Sequence, residues 1–192
     1  MSDAKGNISQ WKKLLKKKLP EDEQIQTVND FFNASVVYAN DLETWNQTDY
    51  WATPLELLKA GAGDCEDFAI AKYFTLRLLG VSDSKLRLMY ARALLMEGII
   101  SHMVLTYETP NGIMVLDNLI GEVKSIAHRA DLIAVYTFNE EGLYLPSVKG
   151  ELRTSDTKNM SRWQEVLDKM SKEGYSLPNL TELQPELSES AP

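Results

Sequence analysis

The sequence predicts an α+β protein, in which helices and an antiparallel sheet occupy separate parts of the chain. Three observations support this class. Before Gly80, apolar residues recur at helical spacing. After Gly80, the chain changes to short β-rich stretches separated by turn residues. Helical spacing then returns near the C-terminus, in the apolar stripe Met160, Trp163, Val166, Leu167 and Met170.

Four helices are predicted ahead of the sheet. The first covers residues 8–18 and is stopped by Pro20, and the second covers residues 21–33. Residues 35–52 mix aromatic and polar side chains and are predicted to form an ordered loop. A brief third helix begins at Thr53-Pro54, an N-cap followed by proline, and stops at Gly61. The fourth runs from Cys65 to Leu79 and ends at Gly80.

The strands follow at short intervals. Pro110-Asn111-Gly112 is a turn signal that joins the second strand to the third. The predicted strands are residues 85–95, 101–108, 113–117, 133–138 and 143–145. A last helix covers 158–173, and the acidic, proline-containing tail 177–192 is predicted to be loosely ordered. Residues 1–192 are interpreted as one domain with a catalytic core at about 21–146.

Composition excludes several classes of protein. The 192 residues carry a net charge of -8, which argues against a nucleic-acid-binding surface. No apolar run approaches the ~18 residues that a membrane-spanning helix needs. The lysines between positions 12 and 18 are predicted to be the solvated face of the first helix, with Trp11, Leu14 and Leu15 on the other face. The polar N-terminus lacks the apolar segment of a signal peptide, so we expect either a cytosolic protein or a processed one.

Cys65 is the single cysteine, so no internal disulfide can form. Gly61 and Gly63 precede it, and the predicted helix begins at the thiol itself. A helix N-terminus stabilises a thiolate through its dipole and unpaired N–H groups, which can also stabilise an oxyanion. The sequence around Cys65 therefore predicts a nucleophile, although a cysteine that only fills space remains the alternative.

A nucleophilic cysteine needs a base, and the chain has two histidines. His102 opens one predicted strand and Asp117 closes the next, so the two can hydrogen-bond across neighbouring strands. His128 lies in a polar stretch and is predicted to be at the surface. A two-residue turn at Asn111-Gly112 would pair Asp117 with Thr106, about 13 Å from His102. The Cys-His-Asp triad therefore requires a longer turn, roughly residues 108–111, or a β-bulge.

Three carboxylates surround the thiol, namely Asp64, Glu66 and Asp67. Their charges would raise the thiol pKa and oppose nucleophilic attack. They are either ordinary partners of a first helical turn or ligands of a calcium ion, which would neutralise them. No EF-hand loop is present, so any remaining ligands must come from elsewhere, with Asn46 and Asp49 as candidates.

Four motifs together resemble the bacterial transglutaminase-like cysteine proteinases. They are Trp51-x-Thr53-Pro54-x-Glu56, Gly61-x-Gly63-Asp64-Cys65-Glu66-Asp67-Phe68-Ala69, Ser101-His102-Met103-Val104-Leu105 and Val115-Leu116-Asp117-Asn118. The resemblance covers residues 21–146. It implies a papain/transglutaminase-like fold with the nucleophile at a helix N-terminus, and the catalytic residues Cys65, His102 and Asp117. It also implies that Trp51 lies near the cysteine helix and walls the substrate cleft.

The resemblance carries further expectations about function. Members of this family are calcium-dependent periplasmic endopeptidases that cut the N-terminal region of a large surface adhesin at a di-alanine site. The periplasmic domain of an inner-membrane cyclic-di-GMP receptor sequesters them. A periplasmic location implies that a signal peptide has been removed. Two alternatives stay open from the residues alone: an enzyme that transfers the acyl group to an amine, and an inactive binding module.

Overall fold

One group of helices comes first in the chain, the large sheet follows it and a further helix follows the sheet, as the predicted order of helices, sheet and last helix required. The computed structural model describes residues 4–147 and 150–175. The helices are α1 Ala4–Leu14, α2 Glu21–Ser35, α3 Asp41–Trp45, α4 Pro54–Ala60, α5 Cys65–Leu78 and α6 Ser161–Lys172. The strands are β1 Val37–Tyr38, β2 Ala62–Gly63, β3 Leu86–Leu95, β4 Gly98–Thr109, β5 Gly112–Leu116, β6 Lys124–Ser125, β7 Leu132–Phe138, β8 Leu143–Ser147 and β9 Gly150–Ser155.

Within the described residues the main sheet has seven antiparallel strands in the order β6-β5-β4-β3-β7-β8-β9. β1 and β2 form a separate parallel pair. The sequence did not predict β1, β2, β6 or β9. The first three have two residues each, too few for an alternating pattern, and β9 is exposed along its whole length. The predicted loop 35–52 also contains α3, whose first turn is capped by the Asn40 side chain.

α5 lies at the centre of the hydrophobic core. It is buried continuously from Asp67 to Arg77, so little of its circumference meets water. One side packs on β3 and β4. From other directions, Trp11 Nε1 of α1 donates to Thr75 Oγ1 at 2.9 Å, and the Trp163 ring of α6 stacks on Phe74 at 5.4 Å. These contacts hold α5 in place and thereby fix the position of its first residue.

The two terminal helices match their predicted character. In α1, Trp11 and Leu14 are buried, and the lysines between 12 and 18 are exposed, as predicted. The helix itself begins four residues earlier than expected and ends at Leu14. α6 buries Trp163, Val166 and Met170. The tail 177–192 lies outside the described residues, and the single-domain assignment stays a prediction. Among residues 4–147 and 150–175, no helix combines the length and apolar character that crossing a bilayer requires.

Candidate active site

The segment that precedes Cys65 is shaped by the N-terminal cap of α4 and by two glycines. Thr53 caps α4, as the Thr53-Pro54 signal predicted, and the Glu56 side chain accepts from the Thr53 backbone N–H in return. Gly61 ends α4 in the left-handed conformation, with φ 71°. Gly63 leaves no room for a side chain, because a Cβ atom there would lie 2.5 Å from both Leu57 Cδ1 and Asp67 Oδ2. Gly61 therefore allows the turn after α4, and Gly63 allows the backbone to lie close to Leu57 and Asp67. Cys65 follows as the first residue of α5.

Cys65 is partly buried, and its thiol donates to Glu66 Oε2 at 3.0 Å. Burial raises the pKa of the Cys65 thiol well above its usual value, and the negative charges of Glu66 and Asp64 add to this. A hydrogen bond from the Met103 backbone N–H lowers the pKa but does not outweigh the other effects. The thiol thus needs positive charge near Glu66 and Asp64 before it can ionise readily.

His102 and Asp117 meet although their strands do not place them opposite each other. The hairpin turn is Pro110-Asn111, flanked by the pair Thr109 and Gly112, so the expected turn position was wrong by one residue. In this register Asp117 follows Leu116 and comes level with Val104, one diagonal step from His102. His102 Nε2 lies 2.8 Å from Asp117 Oδ1. The expectation of a longer turn or bulge was therefore wrong, because the side chains of His102 and Asp117 reach each other diagonally across the two strands of a hairpin with a two-residue turn.

Asp117 is buried and fully partnered. Its Oδ1 also accepts from the Leu119 backbone N–H at 2.9 Å, and its Oδ2 accepts from Arg129 at 2.7 Å. Asn33 Nδ2 donates to the Asp117 carbonyl oxygen at 2.8 Å. Burial alone would raise the pKa of Asp117, but the bonds from His102, Leu119 and Arg129 lower it to about 2. The carboxylate is therefore ionised at neutral pH.

Arg129 is a site residue that the sequence did not reveal. It stands beside His128, which is exposed as predicted, yet the Arg129 side chain is only 1% exposed. Its guanidinium bridges Asp117 and Asp131, with contacts to Asp131 of 2.8 and 2.9 Å. Neighbouring residues of a polar loop point in opposite directions here, and no local pattern distinguishes the inward one.

Cys65 and His102 line the same cleft, which encloses about 310 Å³. Because Nε2 of His102 is engaged by Asp117, Nδ1 is the ring nitrogen left for proton transfer. Trp51 lines the cleft, as expected, and stacks on Phe138 at 5.8 Å. The remaining lining residues are Asp49, Glu66, Tyr90, Ser101, Met103 and Tyr136.

The carboxylates beside the cleft form a different group from the one predicted. One oxygen from each of Asp41, Asp64 and Glu66 lies within 4.8 Å of the others. Asp67 is not among them, since its carboxylate accepts from the Ala52 backbone N–H at 2.7 Å and from Trp45 Nε1 at 3.2 Å. The geometry therefore does not support Asp67 as a metal ligand and brings in Asp41 instead.

The other two candidate ligands lie at the surface. Asp49 lies outside the carboxylate group and pairs with Arg162 at 3.2 Å. Asn46 is exposed at the C-terminal end of α3.

The carboxylate group fits a hard cation. Oδ1 of Asp41 and Oδ1 of Asp64 are both buried without a hydrogen-bond partner among the described residues. Burial and the neighbouring Glu66 and Asp67 raise the pKa of Asp64 to about 9, and burial also raises that of Asp41. Unpartnered, crowded carboxylate oxygens are the donor set that Ca²⁺ takes in proteins. Asp41 could not be found from the sequence, because the pairing of β1 with β2 brings its segment to Asp64.

Similar proteins of known structure include a calcium-bound form. Three structures of LapG from Legionella pneumophila are similar to this chain over 88% of its length. The first is 39% identical, with a TM-score of 0.73 over 91% of that chain. The EGTA-treated form is 38% identical, with a TM-score of 0.76 over 91% of that chain. The calcium-bound form is 38% identical, with a TM-score of 0.73 over 92% of that chain.

No curated protein sequence matches the chain. The family model for bacterial transglutaminase-like cysteine proteinases matches residues 4–138, which include the whole cleft, His102 on β4 and Asp117 just after β5. With an α+β fold, a cysteine at a helix N-terminus and this match, the chain belongs to the bacterial transglutaminase-like cysteine proteinases.

Proposed function

We propose that this chain is a cysteine endopeptidase in which Cys65 is the nucleophile, His102 the general base and acid, and Asp117 the residue that orients His102. One observation carries the proposal. The 2.8 Å bond between His102 Nε2 and Asp117 Oδ1 lies at a cleft that also holds the thiol at the start of α5. Membership of a cysteine proteinase family supports peptide hydrolysis as the reaction.

The reaction then follows from the chemistry of these groups. Cys65 Sγ attacks the peptide carbonyl carbon while its proton passes to Nδ1 of His102. The imidazolium gives that proton to the leaving amine nitrogen as the C–N bond breaks, which leaves a thioester on Cys65. A water molecule that loses its proton to His102 cleaves the thioester, restoring the thiol and releasing the carboxyl product. Asp117 stays ionised throughout and stabilises the imidazolium.

We further propose that the enzyme is calcium-dependent, with Asp41, Asp64 and Glu66 holding the ion. A bound Ca²⁺ supplies positive charge that neutralises these carboxylates and favours the thiolate. Two buried, unpartnered carboxylate oxygens support this assignment. The thiol bond to Glu66 supports it as well, because it directs toward Glu66 the thiol proton that must move to His102. The calcium-bound form of the Legionella LapG is consistent with it.

The biological setting is proposed from the family. The substrate is the N-terminal region of a large cell-surface adhesin, whose cleavage releases the adhesin and promotes biofilm dispersal. The location is the periplasm, and the regulatory partner is the periplasmic domain of an inner-membrane cyclic-di-GMP receptor. The similarity to LapG along most of both chains supports this setting.

The test is cleavage of the N-terminal region of a large adhesin from the same organism, followed by electrophoresis and mass spectrometry. We expect Cys65→Ala and His102→Ala to lose about 10⁴-fold or more in rate, because they remove the nucleophile and the base. His128→Ala is the matched control and should cleave normally, since His128 is exposed. An essential His128 with a dispensable His102 would contradict the proposed triad. Incorporation of an added amine in place of hydrolysis would indicate acyl transfer.

The calcium arm uses the same assay with EGTA and with calcium added back. We expect EGTA to abolish cleavage and to lower the melting temperature, because a ligand bound only to the native state stabilises it by RT ln(1 + [L]/Kd). Calcium should restore both properties in the wild type and neither in Asp64→Ala or Glu66→Ala. Magnesium should substitute poorly, being smaller and slow to shed its water. Full activity in EGTA would exclude calcium dependence and leave the triad unaffected.

A further inference from the structure

In the part of the chain that the structure describes, one edge of β4 has no partner strand beside the cleft. β4 pairs with β3 from Gly98 to Tyr107. On its other side, β5 covers only Leu105 to Thr109. Among the described residues, no strand pairs with the segment 98–104 on that side. Since Ser101, His102 and Met103 line the cleft, this uncovered segment leads directly into it.

The register determines which backbone groups point outward from this edge. In an antiparallel ladder, the N–H and C=O of every second residue face the same neighbour. Thr109 and Gly112 flank a two-residue turn, so they form a hydrogen-bonded pair, and the odd-numbered residues of β4 face the β5 side. The β3–β4 turn agrees with this phase, because Leu95 and Gly98 flank Met96-Glu97 and the even-numbered residues of β4 therefore face β3. The N–H and C=O groups of Ile99 and Ser101 therefore face the uncovered edge.

The same segment exposes apolar side chains without the usual protection of an edge strand. Gly98, Ile99, Ile100 and Ser101 are all exposed, with Ile99 63% exposed. Met96, at the tip of the β3–β4 hairpin, is fully exposed. Proteins normally protect such edges with lysine, proline, a bulge or a covering loop. None of the residues from Gly98 to Ser101 is charged or a proline, so this edge is open to another polypeptide.

We propose that the edge of β4 at Ile99 and Ser101 is a strand-addition site that binds the substrate as an extended segment. The inference rests on the proposed function and deepens it. A peptide that pairs with Ile99 and Ser101 continues along the strand to Met103, about 6.6 Å beyond Ser101, and Met103 lines the cleft together with Cys65. Main-chain pairing at such an edge supplies affinity with little demand on side chains. The occupant is thus a segment of the substrate that is unfolded or can become extended.

The pairing has a chemical consequence that differs from simple cleft binding. On one side of the cleaved bond, alternate substrate amides donate to the C=O groups of Ile99 and Ser101. The amides between them point away from β4 and make no such bond. Removing a substrate N–H should therefore matter at every second residue only.

The first experiment measures kcat/KM for a short synthetic peptide with a central Ala-Ala bond and for versions with one N-methylated amide each. We expect losses of about tenfold or more at alternate positions on one side, and near-normal values between them, because an N-methyl group leaves a carbonyl unpaired. Equal losses at all positions, or none at any, would overturn the inference. If the unmodified peptide is not cleaved, the proposed function is in question and the second experiment decides the binding question.

The second experiment does not need turnover. Backbone hydrogen exchange of Cys65→Ala is measured by NMR with and without the unmodified peptide. We expect exchange at Ile99 and Ser101 to slow on binding, and exchange in β9, the exposed strand at the end of the sheet, to stay unchanged. Unchanged exchange at Ile99 and Ser101 at saturating peptide would overturn the inference. If exchange at Ile99 and Ser101 slows without peptide as the protein concentration is raised, the inference is also overturned, since a second copy of the chain would then occupy the edge.

Discussion

Replacing Arg129 with methionine tests whether a residue outside the cleft holds the proposed catalytic carboxylate in place. Arg129 and Asp117 are 2.7 Å apart, with side chains 1% and 0% exposed. Breaking a buried pair by removing one partner costs about 3–5 kcal/mol, because the remaining charge is left buried. Lys72 is also a buried cation near Asp117, but its ammonium donates to Asn29 at 2.9 Å. We therefore expect Lys72 to recover little of the loss.

The control is Asp131→Asn, which removes the other partner of Arg129. The Asp131 side chain is 30% exposed, so we expect its loss to cost less than about 1 kcal/mol. For a chain of this size 1 kcal/mol corresponds to about 2–4 °C in melting temperature, so Arg129→Met should lower it by roughly 6–20 °C. Urea unfolding gives the free energies directly. The double variant Arg129→Met/Asp117→Asn should lose less than the sum of its single variants.

Activity provides a second measurement on the same variants. Because Arg129 acts through Asp117, we expect Arg129→Met to lower kcat while KM changes little, when both are measured at a temperature at which the variant is still folded. Arg129→Lys keeps the positive charge but lacks the planar guanidinium that bridges two carboxylates, so it should restore stability and kcat only partly. A loss of stability no larger than that of Asp131→Asn would refute the reasoning, since it would mean that the buried pair is not holding Asp117.

Two further predictions concern residues around the site. The pKa of Asp117 is lowered to about 2, so its contribution to stability is present above its unfolded value near 3.8 and is lost as pH falls through 2. The unfolding free energy of wild type relative to Asp117→Asn should thus shrink by about 2 kcal/mol between pH 5 and pH 2, and a constant difference would contradict the lowered pKa. Gly63→Ala should destabilise the protein by about 1–3 kcal/mol and reduce cleavage, because its Cβ would meet Leu57 and Asp67 at 2.5 Å. Gly121→Ala, whose Cβ would have no neighbour closer than 4.0 Å, is the matched control for urea unfolding, and equal losses in the two variants would show that space at Gly63 is not limiting.

The sequence alone determined the features that depend on local chemistry. The α+β order followed from a change of apolar period near Gly80, and the start of α4 followed from its Thr53-Pro54 cap. Cys65 at the first residue of α5 followed from two glycines and the helical spacing after them. The exposure of His128 followed from its polar surroundings. Each of these depends on neighbours within a few residues, which is the range that a sequence pattern describes.

Tertiary structure alone decided how distant segments meet. The turn at Pro110-Asn111 differs by one residue from the expected position and changes which side chains reach His102. Asp41 joins Asp64 because β1 pairs with β2, whereas Asp67 turns inward to bond Ala52 and Trp45. Arg129 reaches Asp117 from a loop whose sequence resembles solvent-exposed surface. These contacts arise from strand register and from the direction in which a side chain points, and neither property can be predicted from a local sequence pattern.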